Sequence, residues 1–275
     1  MERMECASYL DFYRLWPVDI YDAMSKNDAM AELTRKQREI ERRTAEILRV
    51  ARPILLGEGF QALSMDRVAA QMEYAKGTIY NHFPNKEEIV LAMAVESMQL
   101  RRSLFERASR WQAQSRIRMM AIGVACEYFT QNCREDFLVE QWIRNHSIWD
   151  KSSEKRQNLI RQCELDCMGV VGGIVQDALR DRELLVPAAI TPQEFVYGFW
   201  AINYGSQILS YSSPSLATLG IHSPIQAIRM HCMTLLNGFG WHPHMDWERC
   251  QAIMQELSDG FKEDFESICN KRGTA

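Results

Sequence analysis

No stretch of this 275-residue chain stays apolar for the roughly 18 residues that a membrane helix needs. Its start also lacks the basic-then-apolar pattern of a secretory signal. The expectation is a cytoplasmic protein, of bacterial type, with no membrane partner. Eight cysteines occur, at 6, 126, 133, 163, 167, 232, 250 and 269, but no Cys-x-x-Cys pair. That excludes a secreted disulfide framework and a zinc ribbon, and leaves most of them as small buried hydrophobes. Cys163 and Cys167, four apart on a helix, could share a face, yet a sensor thiol also needs exposure and a lowered pKa. Gly-x-Ser-x-Gly, His-Glu-x-x-His and nucleotide fingerprints are all missing. The glycines at 169, 172 and 173 lack the Lys-Ser/Thr of a phosphate loop. His242 and His244, near His231 and Cys232, are metal-capable but define no site. No catalytic residue, metal ligand or cofactor is assigned, and an enzyme is not expected.

Excess charge of one sign is missing as well. The formal net charge is −4, which argues against a generally basic nucleic-acid coat. The distribution is uneven. Residues 1–34 carry three basic groups against seven acidic ones, whereas residues 35–52 carry seven basic against three acidic. Attraction to phosphate is local, so a basic stripe can act within an acidic protein. The same stripe also reads as a solvated helix face laced with pairs such as Glu39–Arg43.

What is present is concentrated at Lys76-Gly77-Thr78-Ile79-Tyr80-Asn81-His82-Phe83, followed by Pro84-Asn85-Lys86-Glu87-Glu88. Ile79 and Phe83 are four apart and can face inward together. Lys76, Thr78, Tyr80 and His82 are left for the outward face. Lysine and protonated histidine suit phosphates, while threonine and a bare glycine permit close approach to base edges. Upstream, Ser64 caps a second short helix through Met72. Two short helices joined by about three residues make a helix-turn-helix, whose second helix enters the major groove.

Residues 47–89, from Ile47-Leu48 through Gly59-Phe60, Ser64-Met65-Asp66 and Gly77 to Phe83, and on to Lys86, resemble the DNA-binding domain of TetR-family transcriptional regulators. The resemblance implies an all-α protein with a helix-turn-helix domain over 35–88 and a helical ligand-binding and dimerisation domain over 89–275, preceded here by the acidic leader over 1–34. It implies double-stranded DNA, a small-molecule effector and a second copy of the chain as partners. It assigns DNA contacts to Arg42, Ser64, Met65, Lys76, Gly77, Thr78, Tyr80, Asn81, His82 and Lys86. Phosphates fall to Lys76, Tyr80, His82 and Lys86, and base edges to Gly77 and Thr78. Relatives usually begin close to the basic helix, so the leader is either an extension or an early start, with Met24 and Met30 as alternatives.

The turn departs from the family's pattern. Relatives usually place glycine where Glu73 stands and a serine cap where Ala75 stands. A residue other than glycine at positive φ is uncommon, and alanine cannot cap. Either the turn has another geometry or the domain is less stable than its relatives. Pro53, inside the first helix, predicts a kink near Arg49 or an early end.

Asn85-Lys86-Glu87-Glu88 reads as a capping box opening a helix that joins the head to the rest. Helices are then expected over Ile117–Cys133, Phe137–Trp149, Leu159–Leu179, Pro192–Leu209, Pro224–Leu236 and Met245–Ile268. The glycine trio within the third of these suggests a kink or a close helix contact. Thr191-Pro192 and Ser223-Pro224 each offer a hydroxyl cap with proline at the first helical position. Relatives dimerise through two such helices, which assigns the interface to Phe195, Gly198, Ala201, Gly205, Ile228 and Leu235. The bland alternative is that both helices only complete the subunit's own core. Tyr128, Phe129, Trp142, His146, Trp149, Trp200, Asn203 and Tyr204 are assigned to a ligand pocket. The resemblance, rather than the aromatic residues themselves, implies that pocket. The contrasting class is a helix-turn-helix interaction module that senses no ligand, which a fully packed large domain would favour.

Overall fold

A computed structural model of the protein describes residues 34–144, 146–212 and 215–270. Apart from Thr34, the acidic leader lies outside the described residues. The chain divides into two compact units, residues 1–45 and 46–275. The described part of the first is the start of helix α1, Arg35–Glu58. Thr34 and Gln37 close a reciprocal box there. The Gln37 amide donates to the Thr34 hydroxyl at 3.3 Å, and the Thr34 amide donates to Gln37 Oε1 at 2.9 Å. Glu39 accepts from Arg42 Nη2 at 2.9 Å and Arg43 Nε at 2.8 Å, so part of the basic stripe is laced together. Hydrogen bonds from Arg42 first, then Arg43, hold the Glu39 carboxyl down at about 2.

Helix α1 does not end early. It runs through Pro53, which is exposed, and stops at Glu58, with Gly59 at φ 85°. In the second unit it is followed by α2 (Met65–Gln71), α3 (Lys76–His82) and α4 (Lys86–Ser109). Then come α5 (Ser115–Asn132), α6 (Arg134–Trp142), the single turn α7 (His146–Trp149) and α8 (Glu154–Arg180). The chain continues with α9 (Pro192–Ser212), a 3₁₀ turn (Leu216–Leu219), α10 (Pro224–Gly238) and α11 (Trp247–Asn270). No strand occurs among the described residues, so the all-α expectation holds. The helix expected over Phe137–Trp149 is instead two pieces, α6 and α7. Helix α8 is assigned as one continuous element through its glycine trio, and a methyl at Gly173 would touch nothing within 4 Å.

Caps explain most starts. Ser64 accepts from the Arg67 amide at 3.2 Å, and Asn85 accepts from the Glu88 amide at 2.9 Å. Thr191 and Glu194 cap one another as expected, at 3.1 and 2.6 Å. Ser223 does not cap. Its hydroxyl makes no bond to the first turn of α10, which begins on Pro224 alone.

Two apolar cores organise the second unit. One gathers Ile47, Ile54, Leu55, Val68, Ile79 and Phe83 with Ile89 and Met93 of α4 and with Val139 and Ile143 beyond it. The other joins α4, α5, α8, α9 and α11 around Leu104, Phe129, Ile174, Trp241 and Phe261. Helix α4 contributes to both.

Candidate DNA-binding face and ligand cavity

Helix α3 sorts its residues by face as its spacing requires. Ile79 is 0% exposed and Phe83 1%, so both are core. Lys76, Gly77, Tyr80 and Asn81 are exposed, and Thr78 and His82 are half-buried. A Cβ at Gly77 would meet nothing within 4 Å, so the backbone there is open to approach. Lys76 Nζ rests 2.5 Å from Asp66 and 5.9 Å from the centre of the Tyr80 ring. An exposed, solvent-screened pair of this kind holds the ammonium weakly, so a phosphate can compete with Asp66 for it. The turn before α3 takes the geometry glycine would favour: Glu73 stands at φ 55°. Ala75, at φ −61° and ψ 139°, is the N-cap residue and gives no side-chain bond.

Three assigned contacts sit differently. Met65 is 6% exposed and belongs to the core, because the first helical residue of α2 points inward; Ser64 beside it is exposed. Lys86 is half-buried. Its ammonium donates to the Phe60 carbonyl at 2.9 Å and lies 4.1 Å from the Phe60 ring centre. Arg42 belongs to the first unit and is held by Glu39.

Helices α5, α8, α9, α10 and α11 contribute to the walls of a cavity of about 160 Å³. Of the residues assigned to a pocket, Phe129, Trp200, Asn203 and Tyr204 line it. The other four do not. Trp142 packs on Phe60 with ring centres 5.9 Å apart, and Trp149 joins the same head-side core. Tyr128 packs on Phe265 at 5.1 Å, and His146 lies on the turn α7. An aromatic side chain on an amphipathic helix finds some core, and spacing alone does not say which.

The cavity holds what the spacing concealed, which is charge. Arg101, Arg116, Arg144 and Arg229 all line it. Arg101 lies 3.2 Å from Glu140 and Arg144 3.3 Å from Glu164, while Arg229 Nε donates to Glu127 at 2.8 Å. Burial raises the Glu140 carboxyl above its ordinary range, against the pull of Arg101. Arg116 is 0% exposed, and burial lowers its guanidinium pKa, with only the Cys250 thiol acting the other way. One signal was available in the sequence: Arg116, Met119, Met120, Gly123, Cys126 and Glu127 follow helical spacing and all face the cavity.

Cys163 and Cys167 do share a buried face, but burial raises both, Cys167 to about 11. Among the described residues no three His, Cys, Asp or Glu side chains gather as a metal site. No helix among them is long and apolar enough to cross a membrane.

Helices α9 and α10 present an apolar outer face. Tyr197 is 59% exposed and Leu209 56%, with Trp200, Ala201, Ile225 and Met230 also exposed. Gly198 and Gly205 have nothing within 4 Å of where a Cβ would stand. Phe195, assigned to the dimer interface, is instead core at 2% exposure, packed on Phe239 with ring centres 4.9 Å apart. Ile228 lines the cavity, and Leu235 is half-buried.

A helix-turn-helix followed by helices that line a cavity defines the class. Residues 47–93 match the family model described as bacterial regulatory proteins, tetR family. That match places a helix-turn-helix of the tetR family in the N-terminal part of the chain. An uncharacterized HTH-type transcriptional regulator of Mycobacterium tuberculosis is 38% identical over 56 residues, 20% of this chain and 28% of that one. The DNA-binding transcriptional repressor TetR of Mycobacteroides abscessus is 42% identical over 52 residues, 19% and 27% of the two chains. Those alignments therefore span little more than a quarter of the curated relatives. A tetR-family regulatory protein from Rhodococcus RHA1 shares the fold with a TM-score of 0.56 at 16% identity, covering 72% of this chain and 97% of that one. FadR from Bacillus subtilis, solved in complex with stearoyl-CoA, does so with a TM-score of 0.54 at 14% identity over 70% and 97%.

Proposed function

We propose that this protein is a cytosolic, dimeric DNA-binding transcriptional regulator, a repressor released from a near-palindromic operator by a small apolar or amphipathic ligand. The DNA-binding part is supported by the open face of α3, where Lys76, Gly77, Thr78 and Tyr80 stand opposite the buried Ile79 and Phe83. Asn81, His82, Ser64, Lys86 and Arg42 are assigned to the same function. The exposed apolar face of α9 and α10, including Ala201, Gly198 and Gly205, is assigned to a second copy. Two-fold symmetry then places the recognition helices about 34 Å apart, or a multiple of that, which requires a near-palindrome.

The ligand part is carried by the cavity, the observation least compatible with a ligand-free interaction module. Helix α6 touches both ends of the coupling. On the head side, Asp136 accepts from Arg52 at 2.9 Å and from Ser97 at 2.7 Å, and Trp142 packs on Phe60. On the cavity side, Phe137 lines the wall and the Tyr204 hydroxyl donates to Gln141. A ligand that presses on Phe137 and Tyr204 would displace α6 and, with it, the Arg52 contact. Release requires that the ligand prefer one arrangement, about 1.4 kcal/mol for each tenfold loss of operator affinity. FadR's complex with stearoyl-CoA supports an amphipathic ligand by likeness of fold alone.

Selection of bound fragments from random duplex DNA tests the first part. Recovery of palindromic sites supports it. Failure to retain any duplex would return the head to a protein-interaction role.

A further inference from the structure

Of the four arginines lining the cavity, Arg101, Arg144 and Arg229 each hold a carboxylate. Arg116 does not. Its Nη1 donates to the Trp241 carbonyl at 2.5 Å, which fixes the guanidinium in place. Its Nε and Nη2 are buried and find no partner among the described residues. These two nitrogens are neighbours on one edge of the planar fork. The surrounding wall is apolar, with Met119 and Met120 one turn along α5 and Leu236 and Met254 from α10 and α11. A buried cation is tolerated only when an opposite charge or hydrogen bonds replace the water it has lost. A carboxylate presents two oxygens at the spacing of one guanidinium edge.

We propose that the cavity takes an amphipathic carboxylate. Its two oxygens accept from Nε and Nη2 of Arg116, and its hydrocarbon lies along Met119, Met120, Leu236 and Met254. The proposal rests on the cavity's being a ligand site and narrows that site's ligand to one chemical class. The Trp241 contact presets the fork, so an anion meets donors that are already oriented. The other three arginines each face a glutamate, which leaves Arg116 as the cavity arginine with no carboxylate partner among the described residues.

Dodecanoate and 1-dodecanol, equal in chain length and used below their aggregation limits, separate the charge from the tail. Titration calorimetry on the full chain is expected to show dodecanoate binding at least about tenfold more tightly than the alcohol, as charge-assisted bidentate bonds imply. In Arg116→Met, which keeps the bulk and removes the charge, that preference is expected to vanish while alcohol binding persists. Equal affinity of the parent for both probes would overturn the assignment of Arg116 and leave the ligand site standing. Binding of neither probe would remove the ligand site and this proposal together. The parent comparison decides without the variant, should Arg116→Met fail to fold. A folded Arg116→Met that kept the preference would also overturn the proposal.

Discussion

Glu88, in the first turn of α4, accepts a hydrogen bond from the backbone amide of Ser153, the N-cap of α8, at 2.5 Å. The sequence suggests that Glu88 turns back to close a capping box on Asn85. The Asn85 half of that box forms, but the Glu88 carboxylate instead serves the start of another helix and accepts from Arg156 Nε at 3.2 Å. Asn85 Nδ2 donates to the Lys151 carbonyl at 3.0 Å, so the start of α4 is fastened to the residues before α8 at two points.

A pH dependence follows from that relationship. Burial would raise the Glu88 carboxyl, but hydrogen bonds from Ser153 and the Arg156 guanidinium outweigh it and hold the group below its ordinary value. A depressed carboxyl stabilises the fold above its unfolded pKa near 4.5, and that stability is lost as pH falls through the folded value. Melting temperature between pH 7 and pH 3 should therefore fall less steeply in Glu88→Gln than in the parent. The variant should also be the less stable of the two at pH 7. Parallel curves would remove Glu88 from the acid limb.

The turn between α2 and α3 can be improved. A residue with a Cβ at φ 55° costs about 1–2 kcal/mol, and glycine's extra unfolded-state freedom returns about 0.5–1 kcal/mol of that. Glu73→Gly should stabilise by roughly 0.5–1 kcal/mol. Ala75→Ser, at an N-cap with extended backbone, should add about 1 kcal/mol. Urea midpoints at constant m-value measure both changes, and a loss in Glu73→Gly would show that the side chain makes up for its own strain.

Gly260 is the opposite case. Within α11, replacing glycine by alanine ordinarily gains about 1 kcal/mol. Here the added Cβ would stand 2.6 Å from Cη2 of Trp111, a ring packed on Phe261 with centres 4.8 Å apart. Overpacking of that kind costs about 1–3 kcal/mol, so Gly260→Ala should lower the thermal midpoint. Trp111→Phe in the same chain should recover part of the loss. A stabilised single variant would mean the ring moves aside freely.

For DNA, Lys76→Ala should weaken binding to every duplex and lower the salt slope by about one unit, as loss of one phosphate contact requires. Lys86→Ala should do the same, and should also lower the head's stability, since its ammonium is tied to the Phe60 carbonyl. Thr78→Ala should instead relax preference at one base pair. Fluorescence anisotropy across a salt series distinguishes these results. An unchanged slope in both lysine variants would place the phosphate contacts elsewhere.

Gly205→Leu should weaken the dimer without unfolding the subunit, because nothing in the subunit lies within 4 Å of the new side chain's root. Sedimentation of parent and variant at several concentrations reads the change. A variant that dimerises as tightly as the parent would move the interface away from α9.

What the sequence by itself determined is local or periodic. The all-α class, the capped starts at Ser64, Asn85 and Thr191, and the facing of Ile79 and Phe83 all depend on residues within about four positions of each other. The missing glycine at Glu73 was legible too, but the sequence left open whether the turn changes its geometry or bears the strain, and the structure puts Glu73 at φ 55°. Tertiary structure alone decided which of two apolar cores each helix face joins. That is why Trp142 and Trp149 lie on the head side while Trp200 and Tyr204 face the cavity, although all four are aromatic residues on helices. It also decided where charge is buried. An arginine on a helix reads as solvated in sequence, and only the packing of α5 against α10 and α11 leaves Arg116 enclosed with two unpartnered donors.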